Sequence, residues 1–405
     1  MEHVKSDLSE YRREKELTLG ERDARWARVR LAMAQAGIDV LVTPPNPGFW
    51  DQLQANATFL STVGGNNAPV SVVFPKVGKI TAVVGPVPSA EFWLAWQSWV
   101  TDVRETPWSV GEGVIGRLRE LGFAGARIGI PGLKGTVRFP EGLATTGFID
   151  RISQAFPDAA IVDATDLLDQ LRADKTAEER AAVADAVALT EEAFELLLRE
   201  AKAGVPERVL YGKMVGHLIA RGALPTNFLM WSAGGGFRFS LAPFPTARPL
   251  RQGDIIHCEI EARGTSGYLG QISRTVSLGA PGDAMKAMFD LAVETFASVM
   301  ASMKPGATIG DILAVYKERN AQTSFRVVPV IHTRALGEDR PMIVFGTQDP
   351  AILQFEIQQH HIYALKVQVR DESTGEMGFW GESVAIGSEG AARLGAGPLE
   401  LSIIK

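Results

Sequence analysis

The stretch HCEIEARGTSGYLGQISRT, residues 257–275, gathers polar side chains at a spacing that suits chemistry. His257, Glu259 and Glu261 alternate with Ile256, Cys258 and Ile260. On a strand, the three ionisable groups therefore share one face and the apolar groups the other. Such a face must be solvated, paired or lining a cavity, because unpaired buried charge is costly. After the turn at Gly267-Tyr268, Tyr268, Gln271 and Ser273 return antiparallel beside the glutamates. Carboxylates, an imidazole and an amide on adjoining strands can bind a cation, move protons or hold a polar substrate. A solvated sheet face is the alternative reading of the same pattern.

The elements that must position these residues follow from periodicity. Residues 20–37 have roughly helical spacing in Trp26, Val29, Leu31, Met33 and Ala36, and Gly37 ends the run. DVLVT (39–43) is a predicted strand, and 69–85 a hairpin turning at Val77-Gly78. A helix over 88–98, a strand at WVTDV (99–103), a helix over 110–121 and a strand over 127–132 follow. This alternation predicts an α/β N-terminal domain over 1–165. Thr176 and Glu179 form a capping box for a long helix that Gly204 and Pro206 end. Residues 166–405 then carry helices near 206–221, 283–304 and from 309, the 254–277 hairpin, and strands near 327–332, 341–346, 362–370 and 378–386. That order predicts an α+β C-terminal domain.

Bulk properties exclude several classes. The chain has 405 residues, 46% hydrophobic and 22% charged, which suits a folded protein with a substantial core. Its net charge of −6 gives no basic field for nucleic acid or an anionic membrane. One cysteine, Cys258, excludes internal disulfides and cysteine-based zinc sites and suits a reducing compartment. The N-terminal stretch is charged, without the apolar core of an export signal, and no apolar run reaches 18 residues. A cytoplasmic protein without a membrane span is expected.

Several segments, in order along the chain, resemble the creatinase/prolidase/aminopeptidase P family, the M24 peptidases of pita-bread fold. They are NATFLST (56–62), LRADKTAEE (171–179), the 250–279 hairpin, KPGATIGDI (304–312), VPVIHTRALGEDRP (328–341) and FWGESVAI (379–386). The resemblance implies a creatinase-like N-terminal domain followed by a pita-bread C-terminal domain. It also implies a homodimer, with STVGGNN (61–67) as the loop contributed to the partner.

Metal enzymes of this family hold two divalent cations with two Asp, one His and two Glu, which bridge the ions and hold an activated water. Those positions correspond here to Glu259, Gln271, His332, Lys366 and Glu382. Gln271 is neutral, and Lys366 has no lone pair when protonated. Formal charge at these positions changes from about −4 to about −1, which disfavours a metal pair. No metal and no cofactor are therefore expected, with Lys366 in place of the cations, paired with Glu259, Glu382 or Glu261.

The resemblance and the residue chemistry together select candidates. His332 suits general acid/base work. Lys366 can bind a carboxylate, act as a base or form a Schiff base. Glu259 and Glu382 are candidate bases or anchors for Lys366. Glu261, Gln271, Tyr268 and Arg370 are candidate substrate contacts, with Trp231 and Phe237 as aromatic walls in a glycine-rich loop. The leading expectation is a metal-independent enzyme that cleaves a C–N, C–C or C–O bond of a small organic acid, as hydrolase or lyase. The alternatives are a metal-dependent Xaa-Pro aminopeptidase or dipeptidase, and a non-catalytic pita-bread binding protein.

Overall fold

A computed structural model describes residues 8–46, 54–65, 68–135, 139–225, 228–234, 245–337, 341–344 and 349–405. It divides into two compact units, 1–172 with 265–267, and 173–264 with 268–405. The division falls at residue 172, within the helix Thr165–Ala173, rather than at 165.

The first unit runs α1 (Leu19–Gln35), β1 (Val40–Val42), α2 (Ala55–Ser61), β2 (Val70–Pro75), β3 (Thr81–Val84), α3 (Ala90–Trp96), β4 (Val103–Glu105), α4 (Val110–Glu120), β5 (Arg127–Ile130), α5 (Thr146–Ala155), β6 (Ala160–Asp163) and α6 (Thr165–Ala173). Its sheet has the order β4-β3-β2-β1-β5-β6, with β1–β2 and β2–β3 antiparallel and the other pairs parallel. NATFLST, aligned with a family strand entry, is helix α2 instead, buried along its whole length. The strand expected at WVTDV starts at Val103.

The second unit runs α7 (Ala177–Glu200), α8 (Glu207–Ala220), β7 (Phe228–Ala233), β8 (Ile255–Arg263), β9 (Leu269–Leu278), α9 (Asp283–Ser302), α10 (Ile309–Ala321), β10 (Arg326–Thr333), β11 (Met342–Val344), α11 (Pro350–Leu353), β12 (Ile362–Arg370), β13 (Met377–Ile386), β14 (Ala391–Arg393) and β15 (Ser402–Ile404). Its sheet has the order β11-β10-β12-β13-β9-β8-β7, with β14 on β13 and β15 on β9. Thr176 caps α7 with the expected box: its hydroxyl accepts from Glu179 N, and Glu179 accepts from Thr176 N.

One face of this sheet carries the helices. Trp380, Val384, Leu365, Val367 and Ile331 form a buried cluster with Phe289, Ala292 and Phe296 of α9. Two glycines set how closely the helices approach. A Cβ on Gly270 would lie 2.2 Å from Val187 N of α7, and one on Gly378 would lie 2.6 Å from Met288 C of α9. Larger residues there would push the helices off the sheet. The opposite face holds Glu259, Glu261, Gln271, His332 and Lys366.

Candidate active site

Directly opposed residues on neighbouring strands share a face, so the register decides which side chains meet. Lys366 opposes Gly381, Gly381 opposes Ser273, and Ser273 opposes Glu259. The next row runs His332, Ala364, Ser383 across β10, β12 and β13, and Gln271 opposes Glu261 on the hairpin. His332, Lys366, Glu259, Glu261 and Gln271 therefore stand in two adjacent rows on the face away from α7 and α9.

Lys366 Nζ donates to Glu259 Oε2 at 3.0 Å, and both side chains are buried. Two strands lie between these residues, so the lysine stem passes over β13 and the Glu259 side chain reaches over β9 to meet it. Gly381 permits this: a Cβ there would sit 2.5 Å from Lys366 Cγ and 2.7 Å from Leu365 O. Ser273 is the other small residue in the path, its hydroxyl 3.5 Å from Glu259 Oε2. Glu261 is bound by Arg334, and both are buried. Each carboxylate of the hairpin thus has its own cation.

Two imidazoles differ in setting. His257 Nδ1 meets Thr275 Oγ1 at 3.1 Å, and burial pushes its pKa down to about 4, so it is neutral at pH 7. His332 Nδ1 lies 3.0 Å from the Thr333 carbonyl oxygen. A carbonyl only accepts, so Nδ1 carries the proton and Nε2 the lone pair. Gln271 has a different environment. Its backbone is held on both sides by Ser383, whose hydroxyl accepts from Gln271 N and donates to Gln271 O, each at 3.2 Å. Its side-chain amide is fully buried, and neither Nε2 nor Oε1 has a hydrogen-bond partner.

Four expected site residues lie elsewhere. Glu382 opposes Leu365, so it points to the helix face and not toward Lys366. There it accepts from Arg274 Nη2 at 3.0 Å and from Arg393 Nη2 at 3.1 Å. Arg274 also stacks on Trp380, with 3.9 Å from guanidinium carbon to ring centroid. Tyr268 likewise faces α7 and donates to Glu179 Oε1 at 2.8 Å, in the cap of that helix. Trp231 opposes Cys258 and shares its face, on the other side of the sheet from Glu259. Arg370 shares the parity of Lys366 but lies at the end of β12, where it donates to Gln368 Oε1 at 2.6 Å. Four residues of strand place it about 13 Å from Lys366. Phe237 lies outside the described residues.

Reasoning from sequence overlooked Arg334, Gly381 and an apolar edge. Arg334 follows His332 by two residues, the spacing of one strand face, and that parity was its signal. Gly381 has meaning only once β12 and β13 are paired. Met230 packs with Met377 and Phe379 beside the Lys366 row.

The family resemblance implies a metal pair, and the donor set does not fit one. Glu259 and Glu261 are neutralised by Lys366 and Arg334, Gln271 adds no charge, and Glu382 is on the other face. Among the described residues, no three His, Cys, Asp or Glu side chains converge to hold an ion.

Comparison with known proteins gives the same architecture. Residues 181–332 match metallopeptidase family M24. The uncharacterized peptidase YqhT of Bacillus subtilis (strain 168) is 28% identical over 172 residues, 42% of this chain and 48% of that protein. The uncharacterized hydrolase/peptidase y4tL of Sinorhizobium fredii is 26% identical over 184 residues, 44% of this chain and 46% of that protein. The chain thus spans about half the length of these two relatives. An X-Pro aminopeptidase from Thermotoga maritima superposes with a TM-score of 0.78 at 16% identity, covering 94% of this chain and 99% of that one. An Xaa-Pro dipeptidase from Bacillus anthracis gives 0.74 at 17%, with the same coverage. Both likenesses establish the fold. No helix among the described residues is long and apolar enough to cross a membrane.

Proposed function

This chain belongs to the creatinase/prolidase-like M24 family, and from that premise we propose that it is a hydrolase of a C–N bond in a small substrate, working through its own side chains. The observation that carries this reading is the buried Lys366 ammonium, 3.0 Å from Glu259 on the sheet face. In this scheme His332 Nε2 takes a proton from water as the water oxygen bonds to the substrate carbonyl carbon. The oxyanion that forms is held by Lys366. The C–N bond then breaks, and the proton on His332 passes to the leaving nitrogen. Glu259 holds the Lys366 side chain in place. A lyase reaction has no support in the comparisons. A small-molecule substrate, a homodimer and a cytoplasmic site of action belong to the same proposal.

A second reading is a metal-dependent Xaa-Pro peptidase. The comparisons favour it in substrate, since the two superposed enzymes carry X-Pro or Xaa-Pro in their names. The donor set favours the first reading. The test is turnover of a panel of dipeptides and small amides before and after exhaustive chelation. Activity that survives chelation and falls at least about a hundredfold in Lys366→Met supports the first reading, by analogy with loss of an oxyanion donor. Activity abolished by chelation and restored by manganese or cobalt establishes the second.

A further inference from the structure

Among the described residues, Gln271 is a buried group on the site face whose hydrogen-bonding needs the protein does not meet. Its side chain is 0% exposed, and both amide atoms lack partners. Its backbone N–H and C=O are both taken up by the Ser383 hydroxyl, which leaves that hydroxyl engaged with the backbone. A buried amide with neither donor nor acceptor satisfied is destabilising, and such groups call for an explanation. The neighbours are already matched. Glu261, directly opposite, is bound by Arg334, and Glu259 by Lys366. Each of these two carboxylates is therefore matched by its own cation.

A primary carboxamide presents an N–H donor and a C=O acceptor along one edge. Its complement must do the same in reverse. A trans secondary amide places its N–H and C=O on opposite sides and satisfies only one atom. An Xaa-Pro amide has no N–H at all. A carboxylate accepts but does not donate, which leaves Gln271 Oε1 unpaired. A lactam, a cyclic ureide or a primary amide satisfies both atoms at once.

We propose that Gln271 is a specificity-determining residue that reads the paired N–H and C=O edge of a neutral lactam, ureide or primary amide. This rests on the reading that substrate binds the face holding Lys366 and His332. It assigns the position that corresponds to a metal ligand in related enzymes to recognition of the substrate amide.

The test uses the full chain with 2-pyrrolidinone, hydantoin and benzamide as probes, beside N-methyl-2-pyrrolidinone, 1,3-dimethylhydantoin and N,N-dimethylbenzamide, which carry no N–H. Binding is read by calorimetry and by thermal shift. The expected result is binding of the N–H probes at least about tenfold tighter than of the N-methyl forms, the worth of one hydrogen-bonded pair. Gln271→Met, close in shape but apolar, is expected to lose that preference while its own melting temperature rises by a few degrees, because an unmet polar group has been removed. Equal binding of N–H and N-methyl probes overturns the proposal, as does a lowered melting temperature in Gln271→Met. The probe comparison needs no variant, so it stands if the variant does not fold. Amide preference without any turnover upholds the role of Gln271 and overturns the hydrolase reading. Turnover with no such preference does the reverse.

Discussion

Lys366 on β12 and Glu259 on β8 form a direct ion pair although β13 and β9 lie between them, and Gly381 is what lets the lysine cross. Adjacent strands sit about 4.8 Å apart, so the two backbones are separated by roughly 14 Å and both side chains must reach inward. The pair couples four strands through one contact.

Breaking this pair from one side leaves a buried charge without its partner. Lys366→Met is expected to destabilise the protein by about 3–5 kcal/mol. The double variant Lys366→Met/Glu259→Gln should recover a large part of that loss. Denaturant unfolding of the two single variants and the double variant measures the coupling, and additive losses would contradict a direct pair.

Gly381→Ala tests the path of the lysine. The new methyl meets Lys366 Cγ and the Leu365 carbonyl, at a cost of about 1–3 kcal/mol by overpacking. Part of that cost should vanish in a Lys366→Ala background, where the stem is gone. An equal cost in both backgrounds would place the strain on the backbone of Leu365 and Lys366.

Restoring the expected ligand types should not restore a metal pair. In Gln271→Asp/Lys366→Glu, Glu382 still faces the helices, held by Arg274 and Arg393. Binding of at most one manganese or cobalt ion per chain is expected, read by elemental analysis after dialysis. Two ions per chain would mean that Glu382 can change face.

His257 makes stability depend on pH in a definite direction. Its folded pKa, about 4, lies below the ordinary 6.5, so the unfolded chain takes up the proton first. The contribution is present above about pH 6.5 and is lost as pH falls toward 4, on the order of 3 kcal/mol in total. Unfolding free energies measured between pH 7.5 and 4.5 should show a shallower slope in His257→Gln. An unchanged slope would assign the pH dependence to other groups.

Much of the candidate site was legible in the sequence. Alternation within HCEIE put His257, Glu259 and Glu261 on one face, and the hairpin register pairs Glu261 with Gln271 and Glu259 with Ser273. A lysine inside the apolar run IYALKVQV had to find a buried partner, and Glu259 was among those expected. Glu382 was misplaced because its motif gives a position along the chain but not the face it takes. That face depends on its pairing with Leu365, and a shift of one residue would reverse it. Tyr268 and Trp231 were misplaced for the same reason.

The sequence by itself determined the local elements, the order of the two units and the substitution of Gln and Lys for carboxylates. Periodicity, capping residues and residue chemistry are properties of short stretches and need no partner to be read. Only the tertiary structure decided which cation neutralises which carboxylate, that Lys366 and Glu259 meet across two intervening strands, that Arg334 takes Glu261, and that Gln271 is left without a partner. Those outcomes depend on sheet register and on the small residues in the path, so residues 73 and 107 positions apart in the chain decide them together.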